Sequence, residues 1–141
     1  PAVFLPVTVA HELAHQRGVA AEQEANFVGV MAATTGGNAA YQYSGWLFGY
    51  LHLSNALYSA DPDLARASYA ALCAEAQADM ADNNAYWKQW EGPVKETGEK
   101  VYTAFLQGYG QELGMRSYGA CVDLLVEEFL PYTTTGGLTA E

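Results

Sequence analysis

Residues 6–17, PVTVAHELAHQR, are the stretch from which the rest of the chain is best interpreted. Apolar residues recur there at helical spacing, Pro6 occupies a position that a first helical turn tolerates, and Gly18 follows as a stop signal. His11 and His15 are four residues apart, so on a helix their imidazoles share one face. The segment therefore predicts a helix that carries two metal ligands one turn apart.

Helical spacing continues along the remainder of the chain, and alternating strand patterns are hard to find. We therefore predict an all-α single domain of six or seven helices, with no evident sheet. The helices are expected at residues 6–17, 20–33, 38–60, 62–72, 76–90, 94–107 and 117–129. Asp61-Pro62 is a strong start signal, and Pro131 is expected to end the last helix. The domain should span residues 1–132, with 133–141 as a flexible tail.

Composition excludes several classes of partner. The chain has 141 residues, 16 acidic and 6 basic side chains, and a formal net charge of −10. That length fits one domain with a real core. Nucleic acids and anionic lipids need basic surface, so neither is an expected partner.

Cys73 and Cys121 do not make a disulfide framework, and we expect two buried free thiols.

Residues 11–15, HELAH, form an HExxH motif, which is typical of zinc metallopeptidases. Zinc held by the two imidazoles lowers the pKa of water, and Glu12 beside it can take the proton as general base. The apolar neighbours predict a largely buried helix; they are Val7, Val9, Ala10, Leu13 and Ala14. Two buried imidazoles and a buried carboxylate then need a cation to compensate the cost of burial.

Catalytic zinc takes a third protein ligand and keeps one position open. Glu22 and Glu24 are the candidates, and they lie about 200° apart on a helix, so only one can face the histidines. We favour Glu22, because Asn26 shares its face and can hold the far nitrogen of a histidine ligand. Glu24 stays open as the alternative.

The pattern His11-Glu-x-x-His15 followed by Glu22-x-x-x-Asn26 resembles the gluzincin zinc peptidases. In that group the third ligand is a glutamate on the next helix, and a polar residue four positions later orients a histidine. The chain departs from this pattern in two ways: the gap between His15 and Glu22 is short, and Asn26 stands where an aspartate is usual. An asparagine accepts a hydrogen bond but carries no charge, so it polarises the imidazole less.

A wider resemblance covers nearly the whole chain. Its segments are HELAHQRG (11–18), EQEANF (22–27), YSG (43–45), NNAYW (83–87), EGP (91–93), RSYG (116–119) and VDLL (122–125). Together they resemble the bacterial domain-of-unknown-function family 3810. The resemblance implies a membrane-anchored zinc peptidase whose transmembrane helices precede this segment, and it identifies no particular peptide or protein substrate.

Peptide hydrolysis also needs an electrophile for the developing oxyanion. Gluzincin-type sites commonly use a histidine, tyrosine or arginine in this role, and we favour Tyr118 and Arg116. Tyr41, Tyr43 and His52 are further candidates. His52 lies in an apolar stretch and is expected to be a core histidine with satisfied hydrogen bonds.

The favoured hypothesis is a zinc-dependent peptidase with its site at the junction of the first two helices and Glu12 as general base. One rival is a non-catalytic, zinc-stabilised helical sensor or interaction domain of a membrane protein. Another is a helical interaction module whose HExxH is accidental. Zincin-like peptidases usually bind substrate along a sheet edge, so the segment is expected to be a catalytic part without its substrate-binding part.

Overall fold

The computed structural model describes residues 1–89 and 117–134, and within them the chain forms helices and no strand. The helices are α1 (Leu5–Gln16), α2 (Glu22–Thr35), α3 (Ala39–Ala60), α4 (Pro62–Ala70), α5 (Ala74–Lys88) and α6 (Ser117–Thr134), preceded by a 3₁₀ turn at Ala2–Phe4. The predicted all-α class is confirmed. The helix predicted at 94–107 lies outside the described residues.

Local capping signals set where two of the helices begin. The side chain of Asn38 accepts two backbone N–H groups at the start of α3, and Asp61 does the same at the start of α4. Pro62 occupies the first position of α4, where a proline loses no hydrogen bond. The predicted helix start at Asp61-Pro62 is therefore confirmed.

The end of α6 differs from the prediction. Pro131 does not end the helix, which continues through it to Thr134. Proline removes a single N–H donor, and near an exposed helix end the freed carbonyl can meet water. The hydroxyl of Thr133 also donates to the carbonyl of Leu130 at 2.8 Å, which satisfies one terminal acceptor. The predicted tail thus begins inside α6, and residues 135–141 lie outside the described part.

The core lies where α1, α2, α3 and α6 meet, and α5 adds two buried residues to it. Its buried apolar residues are Phe4, Val7, Val30, Ala33, Leu47, Ala76, Met80, Cys121 and Leu125. At the start of α1, the backbone N–H of Val7 donates to the buried hydroxyl of Ser44 at 3.1 Å. This bond satisfies an N–H group that has no partner within its own helix, and it ties α1 to α3.

Glycines let the first three helices approach closely. A Cβ at Gly45 would lie 2.9 Å from side-chain atoms of Ala33 and Thr34, and a Cβ at Gly29 would lie 3.2 Å from the backbone nitrogen of His11. Side chains larger than hydrogen would push these helices apart. Because Gly29 has no side chain, His11 packs directly against α2.

Two burial predictions are confirmed in part. Val7 and Ala14 on α1 are buried as predicted. Val9 and Leu13 are 40% and 41% exposed, because α2 and α3 cover only one side of α1. Cys73 is exposed at the start of α5, whereas Cys121 is buried, and both thiols are free. Burial raises the pKa of the Cys121 thiol to about 11.

Candidate metal centre

A short turn between α1 and α2 builds the site. α1 ends at Gln16, Gly18 adopts a φ of 97°, and α2 begins at Glu22. That φ lies in the region that residues with a Cβ disfavour, so glycine permits the tight reversal. Because α2 begins so soon, its first residue folds back over the last turn of α1.

Glu22 faces both histidines of the HExxH motif. Its Oε2 lies 3.4 Å from His11 Nε2, and its Oε1 lies 3.6 Å from His15 Nε2. The two imidazoles are 4.6 Å apart between ring centroids, with an interplanar angle of 88°. One ligand atom from each of the three residues lies within 4.8 Å of the other two. Tetrahedral zinc, with bonds of about 2.0–2.2 Å, separates its ligand atoms by about 3.3–3.6 Å. Each nitrogen lies at about this separation from one oxygen of Glu22.

Burial makes the cluster depend on compensating charge. The side chain of Glu22 is 10% exposed, and those of His11 and His15 are 14% and 26% exposed. A carboxylate at this depth is costly without positive partners. Its position in the first turn of α2 helps, since the N-terminal end of a helix favours negative charge. A divalent cation between the two nitrogens and the carboxylate would offset the remaining cost.

The tautomer of His15 is fixed by the turn. Its Nδ1 lies 2.7 Å from the carbonyl oxygen of Val19, which can only accept a hydrogen bond. Nδ1 therefore carries a proton, and Nε2, which lies on the side of Glu22, is the nitrogen that can bind a metal. Sequence reasoning missed this contact, because any residue has a backbone carbonyl. The only available signal was Gly18, which allows the chain to turn there.

Asn26 lies on the predicted face but does not make the predicted contact. It is buried one turn after Glu22. Its Nδ2 and the Nδ1 of His11 are both buried with no hydrogen-bond partner among the described protein groups. Gly29, a further turn along α2, lies against His11. The two unsatisfied groups therefore belong to the same contact between α1 and α2.

The remaining acidic residues of the motif region are exposed. Glu12 follows His11 on α1 and is open to solvent. Glu24 is also exposed and takes no part in the cluster. The fold thus brings Glu22, rather than Glu24, to the histidines, and it leaves Glu12, the residue after His11, open to solvent.

The described residues do not test the two favoured oxyanion donors. Arg116 lies outside the described residues, and Tyr118 is described only as part of the α6 backbone. The hydroxyl of Tyr43 donates to Asp79 Oδ2 at 2.6 Å. This hydrogen bond to a carboxylate raises the pKa of Tyr43 to about 12. The hydroxyl proton of Tyr43 is thus already donated to Asp79. Tyr41 is exposed on α3.

His52 is not the satisfied core histidine that its sequence context predicts. Its ring lies edge-on to Phe48, with centroids 4.6 Å apart, and its Nε2 is buried without a hydrogen-bond partner among the described residues. Burial lowers the pKa of His52, because the charged imidazolium loses hydration. The ring therefore packs as an aromatic group on α3.

Among residues 1–89 and 117–134, no helix has both the length and the apolarity of a bilayer span. A family model with the description "Protein of unknown function (DUF3810)" matches residues 1–126. The match includes the three clustered side chains and Glu12. No curated protein and no solved structure matches the chain.

Proposed function

The chain belongs to the DUF3810 family of unknown function, and we propose that it is a zinc-dependent metallopeptidase. The proposal depends on one observation: His11, His15 and Glu22 converge, and Glu12, which follows His11 on α1, is exposed. Catalytic zinc sites have three protein ligands and an open position, whereas structural sites are closed by a fourth. Among the described residues, no fourth His, Cys, Asp or Glu joins the cluster.

Each side chain has a distinct role in this proposal. Zinc, when bound, lowers the pKa of water and polarises the scissile carbonyl. Glu12 accepts a proton from the attacking water and delivers it to the leaving amine. Glu22 supplies a negative ligand, and the hydrogen bond to Val19 keeps Nε2 of His15 free to bind metal. Tyr118 and Arg116 stay our candidates for stabilising the oxyanion.

Asn26 is assigned to positioning His11. Its amide is buried on the face of α2 that lies against α1, where Nδ1 of His11 lacks a partner. Turning the amide by 180° exchanges Nδ2 for Oδ1, which is an acceptor for the Nδ1–H of an imidazole. The retained proton on Nδ1 would leave Nε2 of His11 as the metal-binding atom.

Metal content tests the ligand set. Protein purified without added zinc should contain close to one zinc per chain, measured by elemental analysis. Glu22→Gln should lose most of it, because the neutral amide is a poor zinc ligand. Glu24→Gln is the matched control and should keep it, since Glu24 is exposed and outside the cluster. Equal zinc content in the two variants would contradict the assignment of Glu22.

Glu12→Gln tests catalysis separately. The variant should keep its zinc, because Glu12 is exposed and is not part of the ligand cluster. Its rate of peptide hydrolysis should fall by about 10²–10⁴-fold, which is the usual contribution of a general base. Equal hydrolysis rates in wild type and variant would remove Glu12 from the mechanism.

A second candidate function is a non-catalytic, zinc-stabilised sensor or interaction domain. It is favoured by the absence of a strand in residues 1–89 and 117–134, since zincin-like peptidases usually bind substrate along a sheet edge. In that case zinc should raise the Tm of wild type and Glu12→Gln equally. Neither protein should cleave any member of a broad peptide pool.

We also infer a membrane-anchored parent protein, for which the support is the resemblance carried by the seven motif segments. The full-length protein should stay in the membrane pellet after alkaline carbonate extraction. Release into the supernatant would contradict this inference without bearing on the metal site.

A further inference from the structure

A cavity of about 410 Å³ lies between the 3₁₀ turn, α1, α3 and α5. Its buried and half-buried lining residues are Phe4, Phe48, Leu51 and Asn83. Its exposed lining residues are Pro1, Ala2, Leu5, Thr8 and Trp87. The volume lies in the range of about 300–1,000 Å³ that is usual for small-ligand pockets. The cavity is therefore large enough to enclose one large side chain of a peptide.

This cavity adjoins the candidate metal centre along α1. Measured around the helix from His11, Thr8 lies at about 60° and Glu12 at about 100°, so the three residues share one face. Thr8 precedes His11 by three residues and Glu12 by four, and side chains at these spacings are neighbours, with about 5–6 Å between their Cβ atoms. Helical side chains lean towards the N-terminal end of their helix, so Glu12 leans towards Thr8. The cavity thus lies one turn before the metal ligands, on the side of the proposed base.

Two other cavities lie elsewhere in the fold. One lies between α2, α3 and α6 and is lined in part by Trp46, and the other lies between α3, α4 and α5. Neither has a residue of α1 in its lining. Of these three cavities, the one at Thr8 is therefore the one that a peptide bound at the metal can reach.

The lining of the cavity determines which side chain it accepts. The lining is mostly apolar, and none of its side chains carries a charge. The indole Nε1 of Trp87 donates to Oδ1 of Asn83 at 3.1 Å, so the one polar atom of this ring is already satisfied. A charged substrate side chain would lose hydration here without gaining an ionic partner. An apolar side chain would gain free energy by leaving water.

We propose that this cavity is the specificity pocket of the enzyme, and that the substrate is a polypeptide with a large apolar side chain near the scissile bond. The proposal rests on the proposed peptidase function. An extended peptide advances about 3.3 Å per residue, so the side chain that enters the cavity belongs to a residue within about two positions of the cleaved bond. Asn83 and Trp87, the first and last residues of the NNAYW segment, then serve as a wall of this pocket.

The test uses synthetic peptides that differ at one position near the cleaved bond, which mass spectrometry identifies. Zinc-loaded wild type should cleave the phenylalanine peptide with a kcat/KM about tenfold or more above that of the alanine peptide. Lysine and aspartate peptides should be cleaved no faster than the alanine peptide. The readout is a ratio of two substrates on one protein, so a loss of stability alone would not change it.

Two variants perturb the cavity in opposite ways. Ala2→Trp fills it from the exposed rim and should reduce the preference for phenylalanine to within about twofold, with zinc content unchanged. Trp87→Ala removes one wall and should reduce the preference by about threefold or more. Trp46→Ala is the matched control, because Trp46 is 52% exposed, Trp87 is 56% exposed, and Trp46 lines the cavity between α2, α3 and α6 instead. It should keep the wild-type preference.

Equal cleavage of the phenylalanine and alanine peptides by wild type overturns the inference and leaves the peptidase function intact, as does an unchanged preference in both cavity variants. A wild-type dimer that Ala2→Trp abolishes, measured by sedimentation, also overturns it, because the cavity would then hold a second copy of the chain. If no peptide is cleaved, the peptidase function fails, and fluorescence anisotropy of a labelled phenylalanine peptide with metal-free protein decides the cavity. Saturable binding that Ala2→Trp abolishes and Trp46→Ala retains supports the pocket, and absence of binding overturns it.

Discussion

Gly18→Ala should weaken zinc binding although Gly18 is not a ligand. A Cβ at this position would meet no atom within 4 Å, so the substitution changes only which backbone conformations are accessible. At a φ of 97°, a residue with a Cβ costs about 1–2 kcal/mol. The next residue is Val19, whose carbonyl accepts the hydrogen bond from His15.

The magnitude follows from what holds the turn. The hydrogen bond between His15 and Val19 contributes about 0.5–1.5 kcal/mol, which does not exceed the strain. In the metal-free variant the turn should therefore relax, and the carbonyl should move away from Nδ1. Zinc binding then has to restore the strained turn, and it regains the hydrogen bond when it does so. With strain near 2 kcal/mol the net loss of zinc-binding free energy is about 0.5–1.5 kcal/mol, which corresponds to an increase in Kd of about 2- to 12-fold.

The assay is a zinc competition titration against a chelator of known affinity. Gly37→Ala is the matched control, because a Cβ there also meets nothing within 4 Å and φ is not positive. It should bind zinc as wild type does. Gly18→Asn should lose less affinity than Gly18→Ala, since asparagine tolerates positive φ better. A zinc Kd for Gly18→Ala within twofold of wild type would refute the idea that the turn orients His15.

Three further predictions concern the rest of the fold. Ellman's reagent should titrate one thiol in native protein, the exposed Cys73, and two after unfolding, because the pKa of buried Cys121 is raised to about 11; two reactive thiols in native protein would contradict this. Burial lowers the pKa of His52 in the folded state, so the folded protein binds a proton at this ring less readily than the unfolded chain does. The stability that the neutral His52 ring contributes is therefore complete above the unfolded pKa of 6.5 and is lost as the pH falls below that value. In urea titrations of metal-free protein below that pH, the free energy of unfolding of wild type should fall by up to about 1.4 kcal/mol per pH unit more than that of His52→Leu. Equal dependence of the free energy of unfolding on pH in the two proteins would exclude His52 as the cause. Gly45→Ala would place a Cβ 2.9 Å from side-chain atoms of Ala33 and Thr34. It should lower the free energy of unfolding by about 1–3 kcal/mol. An unchanged Tm would contradict the close contact of α2 and α3.

Helix starts could be predicted from the sequence because their signals are local. Asn38 and Asp61 cap backbone groups only two and three residues away, so neighbouring residues determine the outcome. The end of α6 could not be predicted in this way. The cost of Pro131 depends on whether the carbonyl it leaves without a donor is exposed, and that depends on the packing of the whole helix.

In the candidate site, too, features set by neighbouring residues could be predicted, and features set by the packing of whole helices could not. The three clustered side chains lie between residues 11 and 22, and helix geometry with one turn brings them together. The exposure of Val9 and Leu13 was predicted wrongly, because apolar identity alone does not show which side of α1 meets α2 and α3. Asn26 was placed on the correct face, but the orientation of a side-chain amide depends on contacts that sequence spacing does not specify.

Structural and catalytic roles of the metal are separable here because the base is not among the ligands. Zinc bound by His11, His15 and Glu22 would tie α1 to α2, and at a hundredfold excess over Kd it would add about 2.7 kcal/mol to stability. Removing a ligand would lower both stability and hydrolysis, so a ligand variant cannot tell an enzyme from a zinc-stabilised domain. Glu12 is exposed and outside the cluster, so Glu12→Gln should change the free energy of unfolding by less than about 0.5 kcal/mol. A loss of hydrolysis in that variant would therefore belong to the chemistry alone.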